Sequence, residues 1–160
     1  MNELPKRKVI RIEDYDYSTP GAYFITVCTA NREKFFWNGV GADIIRPQNV
    51  PLSTAGKIVE QGILQIAEHH ENVVVDKYCI MPDHIHMILR IESDIGGRMV
   101  SAPTVSTVVG SMKRWVSKQI DRPIWQKSFY DHGIRNQQDY DEIWQYIENN
   151  PLKYLLKKAP

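Results

Sequence analysis

Apolar and polar positions alternate most regularly at His84–Ile91, HIHMILRI. Side chains of a strand point to opposite faces with period two. Ile85, Met87, Leu89 and Ile91 therefore share one face, which reads as core, while His84, His86, Ile88 and Arg90 share the other. Ala22–Ala30 (AYFITVCTA) and Asn72–Ile80 (NVVVDKYCI) are rich in β-branched and aromatic residues and predict two further strands. Met81-Pro82-Asp83 is a turn, so the strand before it and the histidine strand form an antiparallel hairpin. Elsewhere the period lengthens. Ile58, Val59, Ile63, Ile66 and Ala67 recur at helical spacing from a start at Ser53 or Thr54 to about His70. Val105, Val108, Val109, Met112, Trp115 and Val116 form the stripe of a second helix, closed by Asp121-Arg122-Pro123. Tyr140, Ile143, Trp144 and Ile147 form that of a third. Pro151 disfavours helix in the residue before it, so this last helix should end near Asn149 or Asn150, with Leu152–Lys158 as a short basic helix beyond. Residues 124–135 read as extended with a break near Gly133. Residues 38–50 read as loop with a short strand at 43–46, and residues 93–103, with their Gly-Gly pair, as a flexible loop.

The order is strand, helix, strand, strand, helix, strand, helix. Its first six elements match the split βαβ pattern of a ferredoxin-like fold. The expectation is an α+β domain: an antiparallel, RRM-like sheet with two helices on one face and the last helix on the other. The aliphatic side of the histidine strand would meet the two helices. The histidines would face the open side, where the last helix docks. The 160 residues fit one domain, with residues 1–20 as an N-terminal arm and residues 151–160 as a basic C-terminal tail.

Composition adds limits. At 42% hydrophobic and 24% charged, the chain reads as an ordinary globular protein with a real core. No apolar run approaches the roughly 18 residues of a membrane span, and the basic N-terminus has no apolar stretch behind it to make a secretory signal. The expected location is the cytoplasm, in association with the nucleoid, and Cys28 and Cys79 read as buried free thiols. A net charge of +1 does not announce a nucleic-acid binder. Local patches still can follow a phosphate backbone: Arg7, Lys8 and Arg11 near the start, Lys113, Arg114 and Lys118 on one helix, and Lys153 near the end.

Chemistry enters with the histidines. Neutral imidazole is the commonest protein metal ligand, so His84 and His86, side by side, can grip one divalent ion. Two ligands leave a shell incomplete. At about 100° per residue, Tyr146 lies at the border of the last helix's apolar stripe, with Asn150 on the same side four residues on. A phenol with a pKa near 10 can attack phosphorus once a base or a nearby cation helps it lose its proton. Tyr130 and Tyr154 remain rival nucleophiles, whereas Tyr140 falls on the apolar stripe. His132 reads as structural, and Trp115, Trp125 and Trp144 as core.

These residues also carry a resemblance. His84-Ile85-His86, set in Met-Pro-Asp-His-Ile-His, resembles the histidine–hydrophobic–histidine (HUH) motif of the single-tyrosine transposases. Trp125–Arg135 (WQKSFYDHGIR) and Tyr146–Pro151 (YIENNP) resemble the REP-associated tyrosine transposases. The resemblance implies a single-tyrosine endonuclease and DNA strand transferase. His84, His86 and Asn150 would bind Mg²⁺ or Mn²⁺, Asn150 standing where mobile-element relatives often carry glutamine. Tyr146 would attack single-stranded or hairpin DNA, leaving a 5′-phosphotyrosine and a free 3′-OH. Lys127 and Arg135, inside the second motif, would join the DNA contacts. Dimers of such proteins can exchange tyrosine helices, so a homodimer with its site built in trans is one open arrangement. The alternative function is a domesticated protein that holds hairpin DNA or RNA without cutting it.

Overall fold

The computed structural model describes residues 21–38, 51–92 and 104–158. The predicted N-terminal arm with Arg7, Lys8 and Arg11, the short strand at 43–46 and the Gly-Gly loop lie outside the described residues. Four strands form one antiparallel sheet: β1 (Gly21–Cys28), β2 (Val73–Ile80), β3 (His84–Ile91) and β4 (Tyr130–Ile134), in the order β2-β3-β1-β4. With the helices α1 (Thr54–Leu64), α2 (Ile66–His69), α3 (Val105–Ile120) and α4 (Gln137–Lys158), this is the expected α+β, ferredoxin-like arrangement with one added helix.

Each face of the sheet has its own core. Tyr23, Ile25, Val27, Ile85, Met87, Leu89 and Ile91 pack with Val59 and Ile63 of α1 and Val105, Val108, Val109, Met112 and Val116 of α3. On the other face Phe24, Cys79 and Ile88 pack with Ile143 and Ile147 of α4. Period two in β1 and β3 thus sends alternate residues into two different apolar layers, one of which contains the histidines. Local chemistry starts the helices. The Ser53 and Thr104 hydroxyls accept the Gly56 and Thr107 amides, each at 3.1 Å, and so satisfy amides that have no partner within the helix. Gly56 is required by close approach, because a Cβ there would sit 2.2 Å from the Phe36 carbonyl oxygen.

Three expectations need correction. The last helix does not end at Asn150: α4 runs through Pro151 to Lys158. Proline removes one backbone hydrogen bond, but Pro151 is buried and Tyr154 packs edge-on against Trp37 at 5.5 Å, so packing holds the second half of the helix in line. Gly133 marks no break, since it lies inside β4 opposite Tyr23. Of residues 124–135 only Tyr130–Ile134 form a strand; Trp125 makes an isolated bridge to Thr29.

Candidate active site

The antiparallel register builds the site row by row. Cys79, His86, Thr26 and Tyr130 are successive partners across β2, β3, β1 and β4, and His84 pairs with Cys28 in the neighbouring row. Directly opposed residues share a face, so the row stands under α4. Helix α4 is held to that face by Ile143 and Ile147, both fully buried, and this brings Tyr146 over the histidines. The Tyr146 ring meets the His86 ring edge-on with centroids 5.4 Å apart, and Phe24 fixes its other side at 6.1 Å. His84, His86, Tyr146 and Asn150 line a single cleft of about 360 Å³, together with Thr26, Cys28, Arg32, Met81, Tyr130, Lys153 and Tyr154. All of them belong to one chain, so the tyrosine helix lies over the histidines of its own subunit.

Both imidazoles are oriented from behind. His86 is fully buried, and its Nδ1 lies 2.9 Å from the Thr26 hydroxyl. His84 Nδ1 lies 2.7 Å from Asp83 Oδ1. With both Nδ1 atoms engaged, the two Nε2 atoms face each other at 3.1 Å. Two neutral imidazoles whose Nδ1 atoms donate would turn two lone pairs toward one point. That separation fits two adjacent ligands about 2.1 Å from a shared ion, and a partner behind each ring is the usual accompaniment of a ligating histidine. Among the described residues no cluster of three or more His, Cys, Asp and Glu side chains surrounds this point. Of the described residues, Asn150 is the one amide side chain lining the cleft. Its buried Nδ2 has no hydrogen-bond partner among the described residues.

Burial favours the neutral form of the groups inside the cleft. Burial pushes the His86 pKa well below its ordinary value, and the nearby His84 and Arg32 act in the same direction. Burial also pushes the Tyr146 phenol up. Asp83 is the exception. Its burial would raise the pKa, but hydrogen bonds from His84 and Arg32 outweigh that and hold the carboxyl at about 2.

Other candidates fall elsewhere. Tyr140 donates its hydroxyl to Asp76 Oδ2 at 2.7 Å, and His132 Nε2 pairs with Asp139 Oδ2 at 3.0 Å, both away from the cleft. Lys153 lines the cleft, and Lys127 and Arg135 are exposed near the two ends of β4. Arg114 and Lys118 are exposed on α3, which packs on the opposite face of the sheet from the histidines. The Lys113 ammonium is turned inward onto the Gln126 carbonyl at 2.8 Å. Three residues that were not among the expected site residues make direct contacts there: Thr26, Arg32 and Asp83. For Thr26 a signal existed, because counting back along β1 puts it on the same face as His86 once the register is known.

The family model for IS200-like transposases matches residues 21–150, from the first residue of β1 to Asn150. The chain belongs to the IS200-like transposase family. It is 31% identical over 165 residues to an uncharacterized Haemophilus influenzae protein, covering 91% of this chain and 88% of that one. It is also 23% identical over 141 residues to a REP-associated tyrosine transposase of Escherichia coli K12, covering 86% and 70%. A solved REP-associated tyrosine transposase bound to a REP hairpin superimposes with a TM-score of 0.65 at 23% identity, covering 90% of this chain and 74% of that chain. That likeness shows the shared transposase fold. No described helix is long and apolar enough to cross a membrane.

Proposed function

We propose that this IS200-like transposase cuts and rejoins single-stranded or hairpin DNA, with Tyr146 as nucleophile. The observation that carries the reading is the Tyr146 ring packed against His86 in a cleft shared with His84 and Asn150. In the reaction the Tyr146 oxygen attacks phosphorus, the bond to the 3′ oxygen breaks, and the leaving oxygen takes up a proton. The products are a 5′-phosphotyrosine and a free 3′-OH. Attack by another 3′-OH reverses the step and releases the phenol, so strand transfer needs no external energy source.

Each residue has a part in this. Phe24 and Ile147 hold the phenol in place, which converts an encounter into an oriented attack. Thr26 and Asp83 fix the two rings so that both Nε2 atoms point into the cleft. Asn150 offers its amide on the same side of α4 as Tyr146. A divalent ion held by His84, His86 and Asn150 would polarise a phosphate oxygen. Two imidazoles suit Mn²⁺ better than Mg²⁺, which prefers oxygen ligands and near-ideal octahedral geometry. The DNA partner is proposed from the hairpin bound by the structural relative.

The test is a denaturing gel of protein with end-labelled hairpin DNA and Mn²⁺. Wild type should give a covalent shift that excess EDTA abolishes. Tyr146→Phe should give none while retaining hairpin affinity within about twofold. Binding without any adduct in the wild type would instead mark a protein that holds hairpins and does not cut.

A further inference from the structure

The cleft carries a cation that the reaction as described does not use. Arg32 follows β1 in a tight turn where two successive residues, Asn31 (φ 57°) and Arg32 (φ 54°), adopt the left-handed conformation. L-residues other than Asn and Asp rarely visit that region, and an outlier of this kind invites a functional reading. The turn is tied to the tip of the β2–β3 hairpin. The Thr29 amide donates to the Asp83 carbonyl at 3.0 Å, and the Phe35 and Phe36 amides both donate to the Pro82 carbonyl. The strain is therefore held against the segment that presents His84.

What the turn presents is half of a guanidinium. Nε donates to Asp83 Oδ2 at 3.1 Å, which anchors the inner edge. Nη2 is only a long 3.5 Å from His84 Nδ1, an atom already engaged by Asp83 at 2.7 Å. Nη1 has no partner among the described residues, and the side chain stays 53% exposed. Burial would lower the Arg32 pKa, but the Asp83 hydrogen bond reverses this, so the charge is permanent. Among the described residues, the cleft lining holds two cationic side chains, Arg32 and Lys153, and no carboxylate. A planar fork fixed at its back edge and open at its front matches the paired non-bridging oxygens of a phosphodiester.

We propose that Arg32 holds the reacting phosphate through its Nη edge, with Asp83 serving as the positioning residue that aims it. The inference rests on the nuclease reading and adds the group that recognises the substrate's charge. It gives Asp83 two tasks with two oxygens: Oδ1 orients His84 and Oδ2 orients Arg32. Ring and guanidinium then move as one unit, so a phosphate gripped by Arg32 sits beside the histidines.

Two measurements test it with Arg32→Gln, whose thermal midpoint should stay within a few degrees of wild type. The first is NMR titration with the dinucleotide TpT and its uncharged methylphosphonate twin, in EDTA so that no metal contributes. Wild type should prefer the charged probe, and Arg32→Gln should cut that preference about tenfold, as expected for loss of a hydrogen-bonded charge pair. The second is the rate of adduct formation on hairpin DNA with Mn²⁺, which should fall about 10- to 100-fold. A dinucleotide preference changed by less than twofold overturns the proposal, even if adduct formation slows, because Arg32 then acts only as a brace for His84. A wild type that forms no adduct would defeat the nuclease reading alone, since the dinucleotide preference still decides the role of Arg32.

Discussion

Replacing Thr26 by valine removes one hydroxyl from the floor of the site and leaves its shape nearly unchanged. The hydroxyl lies 2.9 Å from His86 Nδ1; Thr26 is 4% exposed and His86 not at all, so water cannot step in. A hydrogen bond of this kind contributes about 1 kcal/mol, and an orphaned buried N–H costs more, which brings the expected loss to about 2 kcal/mol. For a chain of this size that is a fall of roughly 4–8 °C in thermal midpoint. The second effect is more diagnostic. With Thr26 accepting, the proton sits on Nδ1 and the Nε2 lone pair faces His84. Without it nothing favours that tautomer, and loss of such a supporting partner typically weakens a metal site about 10- to 100-fold. Calorimetric titration with Mn²⁺ on wild type, Thr26→Val and Thr26→Ser should show weak binding only in the valine variant. If Thr26→Val loses stability but binds Mn²⁺ as tightly as wild type, the hydroxyl does not set the tautomer and the reasoning fails.

Two further predictions concern the helix that carries Tyr146. Ile147→Ala empties a fully buried position between α4 and the sheet and should cost about 2–5 kcal/mol in urea unfolding, whereas Leu156→Ala, at a site 66% exposed, should stay within about 0.5 kcal/mol. Equal effects would mean that α4 is not anchored as described. The Tyr140 hydroxyl is pushed up to about 12, first by burial and then by its bond to Asp76, so the folded state holds this proton more tightly than the unfolded chain does. That contribution is fully present below pH ~10 and lost as pH rises toward 12. Wild type should therefore lose stability relative to Tyr140→Phe across that window, and parallel pH profiles for the two would contradict the assignment.

The parts of this molecule that were legible from sequence follow from strict local periods. Period two placed His84 and His86 on one face, and the helical stripe through Ile143 and Ile147 put Tyr146 and Asn150 at its border; both hold. The parts that were not legible depend on contacts between distant segments. Arg32 and Asp83 are 51 residues apart, and nothing near Arg32 announces a left-handed turn tied to the tip of a distant hairpin. The passage of α4 through Pro151 has the same cause. Local propensity ends the helix, and the packing of Tyr154 on Trp37, far away in sequence, carries it on. Among the basic residues, charge alone did not distinguish Lys153 in the cleft from Lys113, whose ammonium is spent on a backbone carbonyl.

The proposed reaction requires that Tyr146, and no other group, form the covalent bond to DNA. Tyr130 and Tyr154 line the same cleft, so the presence of an adduct does not by itself identify the attacking phenol. Wild-type protein incubated with hairpin DNA and Mn²⁺ should be digested with protease and nuclease, and the nucleotide-bearing peptide sequenced by tandem mass spectrometry. A 5′-nucleotide should appear on Tyr146 alone. A nucleotide on Tyr130 or Tyr154 would contradict it.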